Sequence, residues 1–368
     1  MIGASEGART YRRLPGSLVQ IRTIWKYELL RYLRSKRLLA SVLIAVAVLG
    51  LTYALPLALG ESYRGTETNI GVTVIDVGSL GIPPWELPYN SVGTLDDEGI
   101  DRGSLKLYVN GTEYPSGSTS WSIAGAEDRV PEQVSDSPTI IMFTGNVSGR
   151  LVTASYTWAM SEQDFDMKFI NFASLLVIVS AALFGADALA GEYQNRTGYL
   201  ILPNPLKREA LFFGKFASCM TMGLVMLSIL YAGVALLSVM TVDGIDDDLA
   251  TSFALAVEYL LAAMAVAFLV SSIMNGTTGA TVFTLLLFLM VMPAIDGVSS
   301  LAGQRIEASL TYAASTVIYI LVDPYIENSA DSLGNYPDPH TAVIVMFAYA
   351  LVAILIGLRL FKRRQLVG

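Results

Sequence analysis

LLASVLIAVAVLGLTYALPLALG, residues 38–60, runs through 23 positions without one Asp, Glu, Lys or Arg. A helix rises 1.5 Å per residue, so this run crosses a hydrocarbon core about 30 Å thick. Comparable apolar runs cover 169–189, 212–242, 250–274, 281–295 and 341–360. The fifth is short but intensely apolar, with FTLLLFLMVM at 283–292. Composition agrees: 53% of the 368 residues are apolar and 15% charged, with a mean hydropathy of +0.52. Soluble domains carry about a quarter of their residues as charges, so lipid is the solvent for much of this chain. The segment before residue 38 is too long and too basic for a signal peptide, and the first run reads as a retained helix. The predicted fold class is an all-α polytopic membrane protein with six transmembrane helices and an inserted β-rich extracellular domain.

The positions of the charges predict the orientation. Arg9, Arg12, Arg13, Arg22, Lys26, Arg31, Arg34, Lys36 and Arg37 precede the first run, against only Glu6 and Glu28. Arg196, Lys207, Arg208 and Lys215 follow the second run or open the third, and Lys362, Arg363 and Arg364 follow the sixth. The alternate loops are acidic, with Asp243, Asp246, Asp247 and Asp248 after the third run and Glu307, Asp323, Glu327, Asp331 and Asp338 before the sixth. Positive residues accumulate on the cytoplasmic side, so both termini are expected there, in the plasma membrane of a prokaryote. The loop 271–280 carries no Lys or Arg and is placed inside by parity alone.

The expected divisions follow. Residues 1–37 form a cytoplasmic N-terminus with an amphipathic interfacial helix, 38–60 the first span, and 61–168 the outer domain. Residues 169–361 form spans two to six, with a cytoplasmic elbow at 190–211 and an outer interfacial or re-entrant segment at 298–340. Residues 362–368 form a cytoplasmic tail. Within 298–340, IEASLTYAASTVIYILV (306–322) is apolar enough to consider as a seventh span, but a crossing there would put the basic tail outside. In the outer domain, NIGVTVIDV (69–77), TIIMFTGN (139–146) and GRLVTASYTW (149–158) read as strands, and Asn110-Gly111 between two alternating runs is a hairpin signal. Asp96, Asp97, Glu98 and Asp101 read as a solvated loop, lacking the spacing of a calcium loop. The single cysteine, Cys219, falls inside a span and excludes an intrachain disulfide.

In SLVQIRTIWKYELLRYLRSKR (17–37), Leu18, Ile21, Trp25, Leu29 and Tyr32 recur at helical spacing, while Arg22, Lys26, Arg31 and Arg34 project elsewhere. Such a helix lies in the inner membrane interface; a plain topogenic anchor is the alternative. More informative is ADALAGEYQNRTGYLILPNPLKREALFFGKFAS (186–218). A charged helix end leads through Arg196-Thr197-Gly198 and a short apolar run to Pro203-Asn204-Pro205, and a new helix restarts at Lys207-Arg208. Prolines end one helix and pre-set the next, giving a stiff elbow.

This stretch resembles the first cytoplasmic loop of type-2 ABC transporter permeases. The positions that carry the likeness are Glu192, Thr197, Gly198, Leu200, Leu202, Pro203, Pro205, Lys207, Arg208, Gly214 and Lys215. The order Thr197-Gly198 inverts the commoner Gly-Thr. The resemblance implies an ATPase-coupling elbow that includes Glu192, Tyr193, Arg196, Thr197, Gly198, Leu200, Pro203, Pro205, Lys207 and Arg208. It also implies a cytoplasmic ATP-binding cassette subunit as partner and a second permease copy or paralogue. ATP and Mg would be held by the partner subunit, because GxxxxGK followed by Ser or Thr is absent here, and Gly214-Lys215 is followed by Phe216. No cofactor, metal, catalytic residue or nucleic acid is expected in or on this chain.

Glu258, in FALAVEYLLAAMAVAFLV (253–270), is a candidate for the substrate pathway, since a carboxylate inside a span faces a cavity or a partner helix. Its nearness to the outer boundary leaves interfacial water as the other reading. An intramembrane protease built on Asp187 and Asp296 is disfavoured, because the two are placed at opposite boundaries. A lone histidine, His340, excludes HExxH. A membrane-anchored ectodomain sensor and a secondary transporter remain as alternatives to the exporter permease.

Overall fold

The computed structural model describes residues 16–60, 62–76, 91–95, 100, 104–115, 121–123, 139–145, 147–194, 207–301, 306–321 and 337–363. Six helices are long and apolar enough to cross a membrane. They are α2 (Lys36–Ala58), α3 (Glu162–Gln194), α4 (Arg208–Thr241), α5 (Leu249–Ile273), α6 (Thr277–Val298) and α8 (Pro339–Arg363). Two further helices are described: α1 (Ser17–Leu33) before the first span, and α7 (Leu310–Tyr319) between the last two. At 10 residues α7 is about 15 Å long, half of a hydrocarbon core.

Local chemistry sets the helix ends. Ser35 separates α1 from α2: its Oγ donates to the Tyr32 carbonyl at 2.7 Å and accepts from the Leu38 amide at 3.4 Å. Ser161 accepts from the Asp164 amide at 3.1 Å to start α3, and Glu162 and Asp164 sit in that first turn, where the helix dipole favours acids. Asp338 accepts from the Thr341 amide at 2.9 Å, just ahead of Pro339 at the start of α8.

The spans differ in burial. In the most apolar window, 67% of α3 and of α5 is buried, against 11% of α2 and 17% of α6. Thus α3 and α5 form the centre and α2 and α6 the rim. Small residues bring the central pair together: a Cβ on Gly185 would lie 2.6 Å from Met264 Sδ and 3.0 Å from Ala267 Cβ. Just beyond, Ser271 Oγ on α5 accepts from the amides of Leu189 and Ala190 at 3.0 and 2.9 Å. Both α3 and α6 contain one π-helical turn, at Ala181–Gly185 and Leu287–Val291.

Between α2 and α3 lies the β-rich insert, two four-stranded antiparallel sheets ordered β1-β8-β4-β5 and β2-β3-β7-β6. The strands are β1 Arg64–Gly71, β2 Thr73–Asp76, β3 Ser91–Leu95, β4 Lys106–Val109, β5 Thr112–Tyr114, β6 Trp121–Ile123, β7 Thr139–Phe143 and β8 Val152–Ala159. Leu107, Val109, Ala154 and Tyr156 of one sheet share a core with Leu95, Ile141 and Phe143 of the other. The hairpin forms where the sequence predicts it: β4 and β5 pair across Asn110 and Gly111, whose φ of 52° and 79° give the primed turn that matches strand twist. The acidic group at 96–98 and 101 lies outside the described residues. Tyr63 joins insert and spans, stacked 5.4 Å from Tyr53 and edge-on to Phe165 at 5.2 Å. Arg64 adds an ion pair to Asp243 at 3.1 Å and donates from Nε to the Thr241 carbonyl at 2.6 Å.

Candidate functional site

With six candidate spans in succession, the start of α2, the end of α3, the start of α4 and the end of α8 lie at one end of the bundle, opposite the insert. At that end α1 packs along α4. Gly214 makes this possible, since a Cβ there would sit 2.7 Å from Ile24 Cβ and 3.1 Å from the Ile21 carbonyl. Three polar contacts tie the same two helices: the Lys207 amide donates to Gln20 Oε1 at 3.2 Å, Trp25 Nε1 to Thr221 Oγ1 at 3.0 Å, and Tyr32 hydroxyl meets Cys219 Sγ at 3.4 Å. Burial, with Cys219 next, raises the Tyr32 hydroxyl pKa well above its ordinary value, so the phenol stays neutral.

The predicted face of α1 is therefore partly redrawn. Tyr32 is buried, and Ile21, Trp25 and Leu29 are half-buried, but Leu18 is 80% exposed. Leu18 lies beyond the start of α4, where Gln20 already meets Lys207. The sequence reading missed Gln20, Ile24 and Glu28 on the packed face.

At the centre of this contact is Lys215, on the second turn of α4 and 1% exposed. Its Nζ lies 2.6 Å from Glu28 Oε1 on α1 and 2.7 Å from Glu192 Oε1 at the end of α3. Glu28 Oε2 in turn meets Arg31 Nη2 at 3.0 Å, with the Arg31 side chain half exposed. Burial works against the Arg31 charge, but Glu28, Tyr32 and Glu192 outweigh it and the guanidinium pKa is raised. Two carboxylates and two cations thus balance in a place largely closed to water, which keeps each charge affordable.

The flanks of the predicted elbow are tied to each other and to three further helices. On the α3 side, Glu192 reaches Lys215 of α4, and Gln194 Oε1 accepts from the Thr277 amide at the start of α6 at 2.9 Å. On the α4 side, Lys207 meets α1, and Arg208 Nη1 donates to the Lys362 carbonyl of α8 at 2.7 Å. Glu209 pairs with Lys362. Tyr193 stacks its ring edge toward Phe361 of α8, centroids 6.4 Å apart. Of the residues the sequence singled out, Trp25, Leu29, Arg31, Glu192, Tyr193, Lys207 and Arg208 come together here. Arg34 is exposed at the end of α1. Arg196, Thr197, Gly198, Leu200, Pro203 and Pro205 lie outside the described residues. Glu258 stands apart, half-buried on α5, with no ion pair among the described residues.

A family model described as ABC-2 family transporter protein matches residues 22–366. The chain belongs to that family. It is an ABC transporter permease, a multi-pass membrane subunit of a kind generally without catalysis of its own, and the match takes in most of α1, the insert and all six candidate spans. No curated protein matches the permease. Among the described residues no group of three His, Cys, Asp or Glu side chains is placed to hold a metal ion.

Proposed function

We propose that this permease is the membrane half of an ATP-driven exporter, worked by a separate ATP-binding cassette subunit that docks on the elbow at 190–211. The single observation behind this reading is the anchoring of both flanks of the elbow. Glu192, Gln194, Lys207 and Arg208 reach α4, α6, α1 and α8, so a push on the connection between them is passed to four helices at once. A rigid-body displacement needs such stiff attachment. The excess of Arg and Lys at this end supports a cytoplasmic location for it and for both termini, in a prokaryotic plasma membrane. ATP and Mg belong to the partner subunit.

The rim supports assembly with a second permease copy or paralogue in the bilayer. On α6, Phe283, Leu286, Met290 and Val298 are exposed, and the span leaves most of its apolar window uncovered. Glu258 is assigned to the substrate pathway on the cost of a carboxylate in a span. The test is ATPase stimulation in the reconstituted complex. Glu192→Ala and Arg208→Ala are expected to abolish stimulation while insertion is retained; full stimulation in both variants would reject the elbow as the coupling site. Export by the purified permease with no nucleotide-hydrolysing companion would reject the wider reading.

A further inference from the structure

The contacts between α1 and α4 keep one register. Gln20 meets Lys207, Glu28 meets Lys215 and Tyr32 meets Cys219, each pair 187 residues apart, so the two helices run side by side in the same direction. Beyond the break at Ser35, α2 carries on along α4, with Leu49 against Gly233. Hence α1 stands beside the bundle instead of lying flat across its end. Phe216 of α4 packs edge-on to Phe268 of α5 at 5.1 Å, within an apolar run, so the second half of α1 is level with the spans themselves. The side of α1 turned from α4 has a definite order. Arg22, Lys26, Leu30 and Leu33 follow at spacings of four, four and three, which puts them on one face, and all four are exposed. The cations come first; the leucines lie toward α2, which adds the exposed Leu39 and Leu43. Arg34 is exposed too, and because helical side chains lean toward the N-terminus, it reaches back toward the cations. The only acid between residues 17 and 60 is Glu28, and it is turned inward to Lys215. Among the described residues Arg22, Lys26 and Arg34 make no ion pair.

We propose that this face of α1 holds an anionic phospholipid, with its phosphate on Arg22 and Lys26 and an acyl chain along Leu30 and Leu33. Charge complementarity selects the headgroup. Each basic residue near the membrane surface favours an anionic lipid about fivefold, and with Glu28 turned inward no carboxylate on this face competes for the phosphate. The leucines select a lipid over a free phosphate, because a soluble anion leaves their apolar surface uncovered. The order of cations before leucines matches a lipid that stands along α1, headgroup at the bundle end and chain toward the membrane centre. The site is independent of the coupling role given to the elbow; it needs only that this end of the bundle faces the cytoplasmic leaflet, as read above.

Trp25 supplies a built-in probe. It is half-buried beside Lys26 on α1, whereas Trp85, Trp121 and Trp158 belong to the insert sequence at the other end. The full permease is reconstituted in phosphatidylcholine vesicles that hold a small, equal fraction of chain-brominated phosphatidylglycerol or chain-brominated phosphatidylcholine, and quenching of tryptophan fluorescence is measured. Brominated phosphatidylglycerol is expected to reach half-quenching at a fraction roughly tenfold or more below that of brominated phosphatidylcholine. Arg22→Gln and Lys26→Gln should each reduce this preference about fivefold, the double variant should bring it to parity, and high salt should weaken it in the parent. Both positions are exposed, so the variants are expected to fold. Arg363→Gln removes the same charge from the exposed end of α8 and should leave the preference as it is. Equal quenching by the two lipids in the parent would leave α1 a plain anchor and overturn the proposal. So would an equal loss of preference in Arg363→Gln, which would trace it to net charge, or relief of quenching by excess glycerol 3-phosphate in solution. Loss of the preference when the ATP-binding subunit is bound would assign the face to that subunit and overturn it as well. None of these results depends on ATPase stimulation, so the lipid site and the exporter reading fail separately.

Discussion

Two buried acidic sites lie at opposite ends of this bundle and are built on different principles. At the end where α2 starts and α8 stops, Glu28 and Glu192 close on Lys215, and Arg31 completes the balance. At the insert end, Asp166 of α3 is fully buried, yet among the described residues no Lys or Arg pairs with it. Its Oδ2 accepts the Asp246 amide at 3.3 Å, Ser238 stands beside it, and its charged neighbours are Glu162 and Asp246, both acidic. Arg64, a basic residue at that end, is committed to Asp243 and the Thr241 carbonyl. Opposed charges at the first end neutralise one another where water is scarce, so that neither sign is left in excess. Neutral donors around a lone carboxylate suit a fixed seam, where direction matters and strength does not.

Removing the cation is the most damaging way to break that contrast. Lys215→Met takes the buried cation from Glu192 and leaves Glu28 with Arg31 alone, and loss of one partner of a buried ion pair costs about 3–5 kcal/mol. The variant should unfold at a clearly lower temperature in detergent, whereas the triple change Lys215→Met, Glu28→Gln, Glu192→Gln should recover most of the stability but none of the ATPase stimulation. A single Lys215→Met as stable as the parent would mean that the cluster carries no net charge burden. Next in size is Gly214→Ala, whose new methyl meets Ile24 Cβ and the Ile21 carbonyl. Overpacking of this kind costs about 1–3 kcal/mol, and the displaced α1 should become accessible to proteases in the intact complex.

The spans were legible because a run such as 38–60 admits one reading, and the hairpin because Asn110-Gly111 supplies two residues that tolerate positive φ. Strands β3 and β6 were not. SVGTL has a glycine at its centre, which in the fold lies against Val72 and Phe143, and WSI is only three residues long. The prolines of the expected elbow lie outside the described residues, and the residue at the centre of the contact beside it was not legible. Glu28, Glu192 and Lys215 share no spacing; Gly214 lets α1 bring Glu28 against α4, and Glu192 arrives from the end of α3. The one trace in the sequence was Glu28 itself, an acid among the basic residues of α1.

Smaller effects are expected at the insert end. Asp166→Asn keeps an acceptor for the Asp246 amide and removes a charge that has no cation to answer it. Its stability should stay within about 1 kcal/mol of the parent or rise, against the large loss for Lys215→Met. A loss as large as that one would mean that Asp166 holds a charged partner and that the two ends are alike after all.

Asp246 provides the finest test, through pH. It lies in the loop between α4 and α5, where burial raises its carboxyl pKa above the ordinary aspartate value, and Asp248 and Asp247 add repulsion against the bond from the Asp248 amide, whose donor lies 2.7 Å from Oδ1. The folded state therefore holds this proton more tightly than the unfolded chain does. Where the folded form binds more protons, stability falls as pH rises. The penalty is absent at pH values below the ordinary aspartate range and fully present above the raised folded value, so acidification through that window should firm the loop. Hydrogen exchange of the amides at 244–249 is expected to slow as pH falls across the window, after correction for intrinsic rates. Asp246→Asn should flatten that dependence and leave the exchange of the Lys215 region unmoved, since opposed charges there leave no comparable excess of acid. Persistence of the full pH dependence in Asp246→Asn would transfer it to Asp166, and would make the seam, not the loop, the acid-sensitive element of the insert end.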